Sequence, residues 1–293
     1  AAMHTVVLIS SPDAPVVDLS LVEALRNGWG GGVARWLNPG IAAEFDLDRL
    51  PDTLDATRDQ MDAMGVDLNV VPMEGRRKRL LLADMDSTMI QQECIDELAA
   101  EAGVGERVAA ITVRAMNGEV DFEGALHERV GLLAGLDASV IDRVLADRIT
   151  LMPGGETLLA TMKAQGAKAA LVSGGFTAFT SAIAARLGFD WNRANTLLLE
   201  GGKLTGLPGL PILGRQAKVD ALEELTAEMA IGETDVIAVG DGANDLDMLR
   251  RAGMGVALHA KPAVQAGAGL RVNHGDLTAL LYLQGYHRDD FVT

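Results

Sequence analysis

The sequence predicts an α/β fold, in which a parallel sheet with a helical cap follows an N-terminal ferredoxin-like α+β domain. Three observations support this prediction. The first 75 residues follow the order strand, helix, strand, strand, helix, strand. After residue 80, short apolar runs alternate with helical segments, which is typical of a parallel sheet. A mostly helical stretch, roughly residues 91–150, separates the first two of these runs and is too long for a simple crossover.

The N-terminal domain is predicted from apolar alternation and turn residues. Its elements, in chain order, are strand Thr5–Ser10, helix Leu19–Asn27, strands Val33–Leu37 and Ile41–Asp46, helix Leu54–Met64 and strand Leu68–Pro72. Turn residues at Gly30–Gly32 and Asn38–Gly40 flank the second strand. The basic run Arg76–Arg79 is predicted to be a solvated linker, so we place a domain of residues 1–75 before one of residues 76–293.

The second domain is predicted from four apolar runs that each end near Gly, Ser or Asp. The predicted parallel strands are Leu80–Ala83, Ala167–Val172, Val236–Val239 and Gly255–Leu258. A hairpin is predicted where Leu197–Glu200 and Lys203–Gly206 flank two glycines. We interpret part of the helical insertion at 91–150 as a cap over a functional site.

The composition excludes several classes of protein. Apolar residues make up 48% of the 293 residues and charged residues 23%, which is the balance of a folded globular chain. The net charge of −16 works against nucleic-acid binding, which needs a basic face. One cysteine, no apolar run near about 20 residues and no signal segment predict a cytoplasmic protein without a membrane partner. On so acidic a chain, a phosphate site needs local positive charge from a metal ion, Lys or Arg.

Two carboxylates follow the first strand of the predicted parallel sheet. Strand alternation sends Asp84 and Asp86 to the same side, and ligands of parallel sheets bind beyond the carboxyl ends of the strands. A helix N-cap explains one such acid, but it does not require two acids that are two residues apart. Two nearby acids can divide catalytic roles, so we expect a reactive site here.

Three further segments add chemistry at later strand ends. Ser173-Gly174-Gly175 offers a hydroxyl and amides at the start of the following helix, which suits phosphate. The turn Gly240–Asp245 offers the oxygen ligands that Mg²⁺ prefers. Lys218, in a predicted helix over Arg215–Ala230, could neutralise phosphate oxygens, although a solvated surface lysine is the alternative.

Together, these segments resemble the motifs of the haloacid dehalogenase-like superfamily and, within it, the phosphoserine phosphatases, over about residues 80–285. The resemblance implies a Rossmann-like core and Mg²⁺ as cofactor. By the resemblance, the metal ligands would be the carboxylates of Asp84 and Asp241 and the backbone carbonyl of Asp86.

The resemblance also implies hydrolysis of O-phospho-L-serine to L-serine and phosphate, the last step of serine biosynthesis. Asp84 would be the nucleophile that forms an aspartyl-phosphate, and Asp86 the general acid and base. Asp86 would then have to hold a proton near neutral pH. Lys218 and Ser173 would neutralise the phosphoryl charge.

Substrate recognition is implied by further matches to the same phosphatases. Glu93 would bind the substrate ammonium and Arg129 its carboxylate, for which the guanidinium fork is well shaped. Exposed helix charges are the alternative explanation for both. The remaining implied substrate contacts are Ser173, Gly174, Asn244, Met116 and Phe122.

Several alternatives remain open at this point. A related phosphohydrolase or phosphotransferase acting on another small phosphoester, such as phosphohomoserine, would share the core motifs, because the cap sets the substrate. The N-terminal domain resembles ACT regulatory domains, so a non-catalytic amino-acid sensor is a second alternative, which the intact acids disfavour. We expect this domain to be a dimerisation or regulatory module, giving a homodimer, with a structural remnant as the alternative.

Overall fold

The computed structural model describes residues 3–293, apart from the side chain of Met116. The strands are β1 His4–Ser10, β2 Arg35–Asn38, β3 Ala42–Leu47, β4 Val66–Pro72, β5 Leu80–Ala83, β6 Lys168–Phe176, β7 Trp191–Asn195, β8 Leu197–Glu200, β9 Lys203–Pro208, β10 Val236–Gly240, β11 Met254–Leu258 and β12 Leu270–Val272. The helices are α1 Leu19–Trp29, α2 Leu54–Ala63, α3 Cys94–Glu101, α4 Gly105–Met116, α5 Phe122–Gly131, α6 Ser139–Asp147, α7 Gly155–Ala164, α8 Thr177–Leu187, α9 Arg215–Met229, α10 Leu246–Arg251, α11 Pro262–Gly267 and α12 Ala279–Leu283.

The first four strands form an antiparallel sheet in the order β2-β3-β1-β4. The predicted ferredoxin-like order of elements is confirmed, with element ends shifted by at most two residues. Val6 on the central strand lies opposite Phe45 on one side and Val70 on the other. One face of this sheet contributes every second residue of β1, Val6 and Leu8, to a core that includes Val22 of α1 and Met61 of α2, because successive side chains of a strand point to opposite faces.

In the basic run after β4, Arg77 and Arg79 are exposed, as predicted for a solvated linker, but Arg76 is not. The Arg76 side chain is only 10% exposed, and its guanidinium makes two bonds of 2.8 and 3.0 Å to the Glu44 carboxylate. It also donates to the carbonyls of Tyr282 and Leu283. The side chain of Glu44 is 2% exposed, and a buried carboxylate needs such a partner. Arg76 therefore forms a structural ion pair with Glu44.

Side chains of β4 form hydrogen bonds with the backbone of β12 and of the segment that follows it. Asp67 is 2% exposed and accepts hydrogen bonds from three successive backbone N–H groups, those of Asn273, His274 and Gly275, at 2.8 to 3.0 Å. Asn69 is fully buried and bonds both the N–H and the C=O of Arg271. Because these partners are backbone groups, the attachment of β4 depends on the path of the chain at 271–275.

The predicted parallel sheet has six strands in the order β12-β11-β10-β5-β6-β7. Leu80, Leu81 and Leu82 of β5 are fully buried, as expected for a central strand covered on both faces. The sequence analysis did not predict β7 and β12, which are the edge strands. An edge strand needs no continuous apolar run, and β7 reads Trp-Asn-Arg-Ala-Asn.

The segment between β5 and β6 contains helices α3 to α7, and α3 to α6 lie within the predicted helical insertion at 91–150. The predicted hairpin is confirmed as β8 and β9, and the predicted helix near residue 215 as α9. No helix in the described part of the chain is long and apolar enough to cross a membrane.

The chain divides into two compact units, which do not follow the domain boundary predicted after residue 75. One unit contains residues 1–81, 153–168 and 225–293, and the other contains residues 82–152 and 169–224. The predicted boundary itself stays a prediction. Most of the predicted catalytic and substrate residues belong to the second unit, whereas the Gly240–Asp245 turn belongs to the first.

Candidate active site

Asp84 and Lys218 form a buried ion pair. Asp84 is the first residue after β5 and is 6% exposed, and Lys218 lies in the first turn of α9 and is 1% exposed. The Lys218 Nζ lies 3.1 Å from Asp84 Oδ1, which also accepts a 2.8 Å hydrogen bond from the Met85 N–H. The solvated-surface alternative for Lys218 is thus wrong. A buried ammonium beside a buried carboxylate provides a fixed positive charge where an anionic group could react.

The end of β6 lies against Asp86. A Cβ on Gly175 would stand 3.2 Å from Asp86 Oδ2 and 3.1 Å from the Ser173 hydroxyl, so only glycine fits this approach without a shift. Ser173 is 3% exposed, and its Oγ accepts a 2.9 Å hydrogen bond from the Gly175 N–H. These residues lie in β6, which runs to Phe176, and not at the start of α8 as predicted. The pairing of β6 with β7 changes register between Val172 and Phe176, which is the stretch that contains these residues.

Asp86 also meets the start of α3. Its Oδ1 accepts a 3.4 Å hydrogen bond from the Cys94 N–H. Burial and the Asp86 carboxylate raise the pKa of the Cys94 thiol well above its ordinary value. Cys94 therefore stays protonated and is unsuited to act as a nucleophile.

The side chain of Glu93 is hydrogen-bonded to Ser87, which lies in the loop after β5. The Ser87 hydroxyl donates a 2.8 Å hydrogen bond to Glu93 Oε2, and the Ser87 N–H donates to the Gln92 carbonyl at 3.1 Å. Ser87 has a φ of 56°, a left-handed conformation that a serine adopts only when its surroundings impose it. Nothing in the sequence analysis predicted this contact, which orients an exposed carboxylate.

Arg129 of α5 is partly buried within the cap. Its guanidinium donates to the Ala125 carbonyl at 3.2 Å and to the Thr112 hydroxyl at 3.4 Å. Burial lowers the pKa of Arg129, and the carboxylates of Asp96 and then Glu93 act in the opposite direction. The carboxylates of Asp96 and Glu93 thus favour the charged form of Arg129.

Phe122 is the first residue of α5, directly after the N-cap Asp121, whose carboxylate accepts a 2.7 Å hydrogen bond from the Gly124 N–H. The Phe122 ring is 39% exposed and lies close to Gly174 and Gly214. Met116 ends α4, but its side chain lies outside the described residues, so its predicted substrate contact stays a prediction.

The Gly240–Asp245 turn is organised by its last residue. Asp245 is fully buried, and its Oδ2 accepts 3.1 Å hydrogen bonds from the N–H groups of Asp241 and Gly242. A Cβ on Gly240 would lie 2.3 Å from the Asp245 carboxyl group, so glycine is required there. Asp241 and Asn244 are both half-buried on this turn.

Strand β10 is the neighbour of β5 in the sheet, and the carboxyl ends of parallel strands share one edge. Acids follow both of these strands: Asp84 comes after β5, and Asp241 and Asp245 come after β10. All of them offer carboxylate oxygens, the ligands that a hard cation such as Mg²⁺ prefers.

These features define an α/β protein with a helical insertion: a buried Asp–Lys pair follows a central parallel strand, and the insertion lies between the first two strands of the sheet in chain order. The chain belongs to the haloacid dehalogenase-like hydrolase family, whose model matches residues 81–250.

Three known proteins illustrate the similarity. A phosphoserine phosphatase of Streptomyces coelicolor is 47% identical over 230 residues, which cover 78% of this chain and 56% of that protein. This chain thus spans just over half of that relative's length. A haloacid dehalogenase family hydrolase of Salmonella enterica serovar Typhi has a TM-score of 0.85 at 32% identity, over 97% of this chain and 98% of that one. A phosphoserine phosphatase solved as a phospho-aspartyl intermediate analogue has a TM-score of 0.66 at 40% identity, over 70% of this chain and 98% of that one.

Proposed function

We propose that the protein hydrolyses O-phospho-L-serine to L-serine and phosphate through an aspartyl-phosphate on Asp84. The observation that carries this proposal is the buried ion pair of Asp84 and Lys218 at the end of β5, with the Ser173 hydroxyl on the next strand. Similarity to phosphoserine phosphatases, one of which was solved as a phospho-aspartyl intermediate analogue, supports the same chemistry.

In the first step, an Asp84 oxygen attacks phosphorus and the bond from phosphorus to the serine oxygen breaks. Asp86 donates its proton to that leaving oxygen, so that serine departs as a neutral alcohol. The Lys218 ammonium and the Ser173 hydroxyl bind phosphoryl oxygens, whose negative charge would otherwise repel a carboxylate.

In the second step, the Asp86 carboxylate takes a proton from water and the water oxygen attacks the phosphorus. The bond from phosphorus to Asp84 breaks, which releases phosphate and restores the Asp84 carboxylate, while Asp86 regains its proton. The approach of Gly175 to Asp86 leaves no room for a larger side chain beside this acid.

Mg²⁺ fits the proposed site because its ligands would all be oxygen atoms: the carboxylates of Asp84 and Asp241 and the backbone carbonyl of Asp86. When bound, Mg²⁺ neutralises phosphoryl charge. Asp245 would act indirectly, since its carboxylate holds the backbone of the turn that carries Asp241.

The amino-acid head group would be bound by charges of the cap. Glu93 would accept the ammonium and Arg129 the carboxylate, while Phe122, Gly174, Asn244 and Met116 would line the site. Burial lowers the pKa of Arg129, because it takes the charged guanidinium partly out of water. A substrate carboxylate would restore the interactions that the guanidinium has lost, which favours an amino-acid phosphoester.

The test is phosphate release from phosphoserine, phosphothreonine and a neutral alkyl phosphate, each with Mg²⁺ and with a chelator. We expect phosphoserine to react fastest, the chelator to stop the reaction, and Arg129→Ala to remove the preference for phosphoserine. Arg143→Ala is the matched control, because Arg143 is an exposed cap arginine whose guanidinium donates a hydrogen bond to Ser139 within α6. If phosphoserine is inert while another ester, such as phosphohomoserine, is hydrolysed, the substrate assignment is wrong but the hydrolase chemistry remains.

The N-terminal domain is proposed to be an ACT-like dimerisation or regulatory module. Deleting residues 1–75 would also remove Asp67 and Asn69 from the backbone groups that they bind at 271–275. The intact chain is therefore the better subject: its mass in solution, measured across concentrations, should be that of a dimer. A monomer at all concentrations would reject the dimerisation role.

A further inference from the structure

The ring of Phe122 lies in a slot between two glycines. A Cβ on Gly174 would stand 3.3 Å from the ring atom Cζ, and a Cβ on Gly214 would stand 3.3 Å from Cδ1 and from Cε1. Neither glycine has a left-handed φ, so the backbone conformation itself would accept alanine. The ring alone is thus what restricts both positions, and we call the space between Gly174 and Gly214 the Phe122 slot.

One buried side chain binds the backbone on both sides of the Phe122 slot. Asn195, at the end of β7, is 2% exposed. Its amide nitrogen donates to the Gly174 carbonyl and to the Leu213 carbonyl, each at 2.9 Å, and its amide oxygen accepts from the Leu213 N–H at 2.7 Å. Both amide hydrogens and the oxygen of Asn195 therefore have partners. This side chain thus joins the backbone segments on the two sides of the slot.

The two segments that Asn195 joins lead to different parts of the active site. Gly174 lies between Ser173 and Gly175, which lies against Asp86. Leu213 precedes α9, which carries Lys218 in its first turn. A change in the distance between the two segments would therefore move both the hydroxyl and the ammonium relative to the substrate.

We propose that Asn195 is a positioning residue, which sets the Phe122 slot and so fixes the first turn of α5 of the cap over the catalytic groups. The inference rests on the proposed function for its kinetic consequence, but the slot itself can be tested without any substrate. Within the described residues, the hydrogen bonds of the Asn195 side chain go to backbone groups, and it acts on the reaction through Gly174, Leu213 and the ring of Phe122.

The first test is hydrogen exchange of the amides of residues 122–126 in the full chain. Asn195→Asp keeps the acceptor for the Leu213 N–H but replaces two donated hydrogen bonds by an oxygen facing two carbonyls. We expect exchange in this segment to become about tenfold faster, an opening that is easier by about 1.4 kcal/mol. Asn192→Asp is the control: it lies on the same strand, and its side-chain oxygen accepts only from hydroxyls of Thr180 and Ser181. Unchanged exchange in Asn195→Asp would overturn the proposal.

The second test is a double-mutant cycle that does not depend on the folding of the Asn195 variant. Gly214→Ala should raise KM for phosphoserine about tenfold and change kcat less, because the added methyl displaces the ring of Phe122. In a Phe122→Leu background, the same substitution should cost less than threefold, since no ring remains to be displaced. Equal costs in the two backgrounds would reject the slot.

The two proposals fail in distinguishable ways. If phosphoserine is inert but Asn195→Asp still speeds exchange in residues 122–126, the slot stands and the substrate assignment falls. In that case the double-mutant cycle is measured with the phosphoester that the protein does hydrolyse. If phosphoserine is hydrolysed and the cycle shows equal costs, the function stands and the positioning role of Asn195 falls.

Discussion

Replacing Lys218 by Met should test the buried ion pair at the centre of the site. At an effective dielectric constant of about 20, unit charges separated by the 3.1 Å between Lys218 Nζ and Asp84 Oδ1 attract by about 5 kcal/mol. Breaking a buried pair typically costs about 3–5 kcal/mol, because the remaining charge is left uncompensated. Lys218→Met should therefore destabilise the fold by about this amount and lower kcat about 10²- to 10³-fold.

A second substitution shows whether the uncompensated charge is the cause. The double variant Asp84→Asn/Lys218→Met removes the carboxylate charge while it keeps the oxygen that accepts from the Met85 N–H. It should regain about 2 kcal/mol or more relative to Lys218→Met. Urea unfolding in the presence of a chelator measures this difference, since a bound cation would otherwise take the place of the lysine.

The matched control is Lys203→Met, an identical substitution at an exposed lysine of β9. It should change stability by less than about 0.5 kcal/mol and leave kcat unchanged. The reasoning is refuted if Lys218→Met keeps kcat within tenfold of the unmodified protein. It is equally refuted if the single and double variants unfold at the same urea concentration.

Two further predictions concern individual carboxylates. Asp84→Asn should abolish phosphate release from phosphoserine, because an amide cannot form the phosphoryl intermediate; turnover above about 1% of the starting rate would contradict this role. Asp67→Ala should destabilise the fold by about 3 kcal/mol at pH 4, since three backbone N–H groups lose a buried acceptor. Asp59→Ala, at a carboxylate that is 78% exposed, should cost less than about 0.5 kcal/mol. Burial raises the pKa of the Asp67 carboxyl group above its value in the unfolded chain, which is about 3.9. The stabilising contribution of Asp67 is therefore complete below that unfolded value, and it declines as pH rises through the folded pKa. The cost of Asp67→Ala, measured by urea unfolding, should therefore be smaller at pH 7 than at pH 4, and a cost that grows with pH would contradict the assignment.

The sequence was most informative at positions where a carboxylate directly follows a central strand. Strand β5 is fully buried, so its apolar run is continuous and its end is marked by Asp84. Strand β10 is marked in the same way before Asp241. Because the carboxyl ends of parallel strands share an edge, the order of the motifs was enough to expect one site.

Contacts between segments that are distant in the chain could not be predicted in this way. Asn195 lies on an edge strand without an apolar run, and its partners are backbone atoms 18 and 21 residues away. Arg76 reads as part of a solvated basic run, but it pairs with Glu44, 32 residues earlier. Neither residue type nor spacing identifies such a partner.

The sequence by itself determined the alternation of strands and helices, the acids after β5 and β10, and the family resemblance. Apolar periodicity and strand-end residues are local properties of the chain, so they can be read without coordinates. Only the tertiary structure decided that Lys218 is buried against Asp84, that Ser173 lies in a strand, and that Phe122 lies between Gly174 and Gly214. Those facts depend on which backbone and side-chain atoms come within a few ångströms of one another, and packing of the whole chain sets such distances.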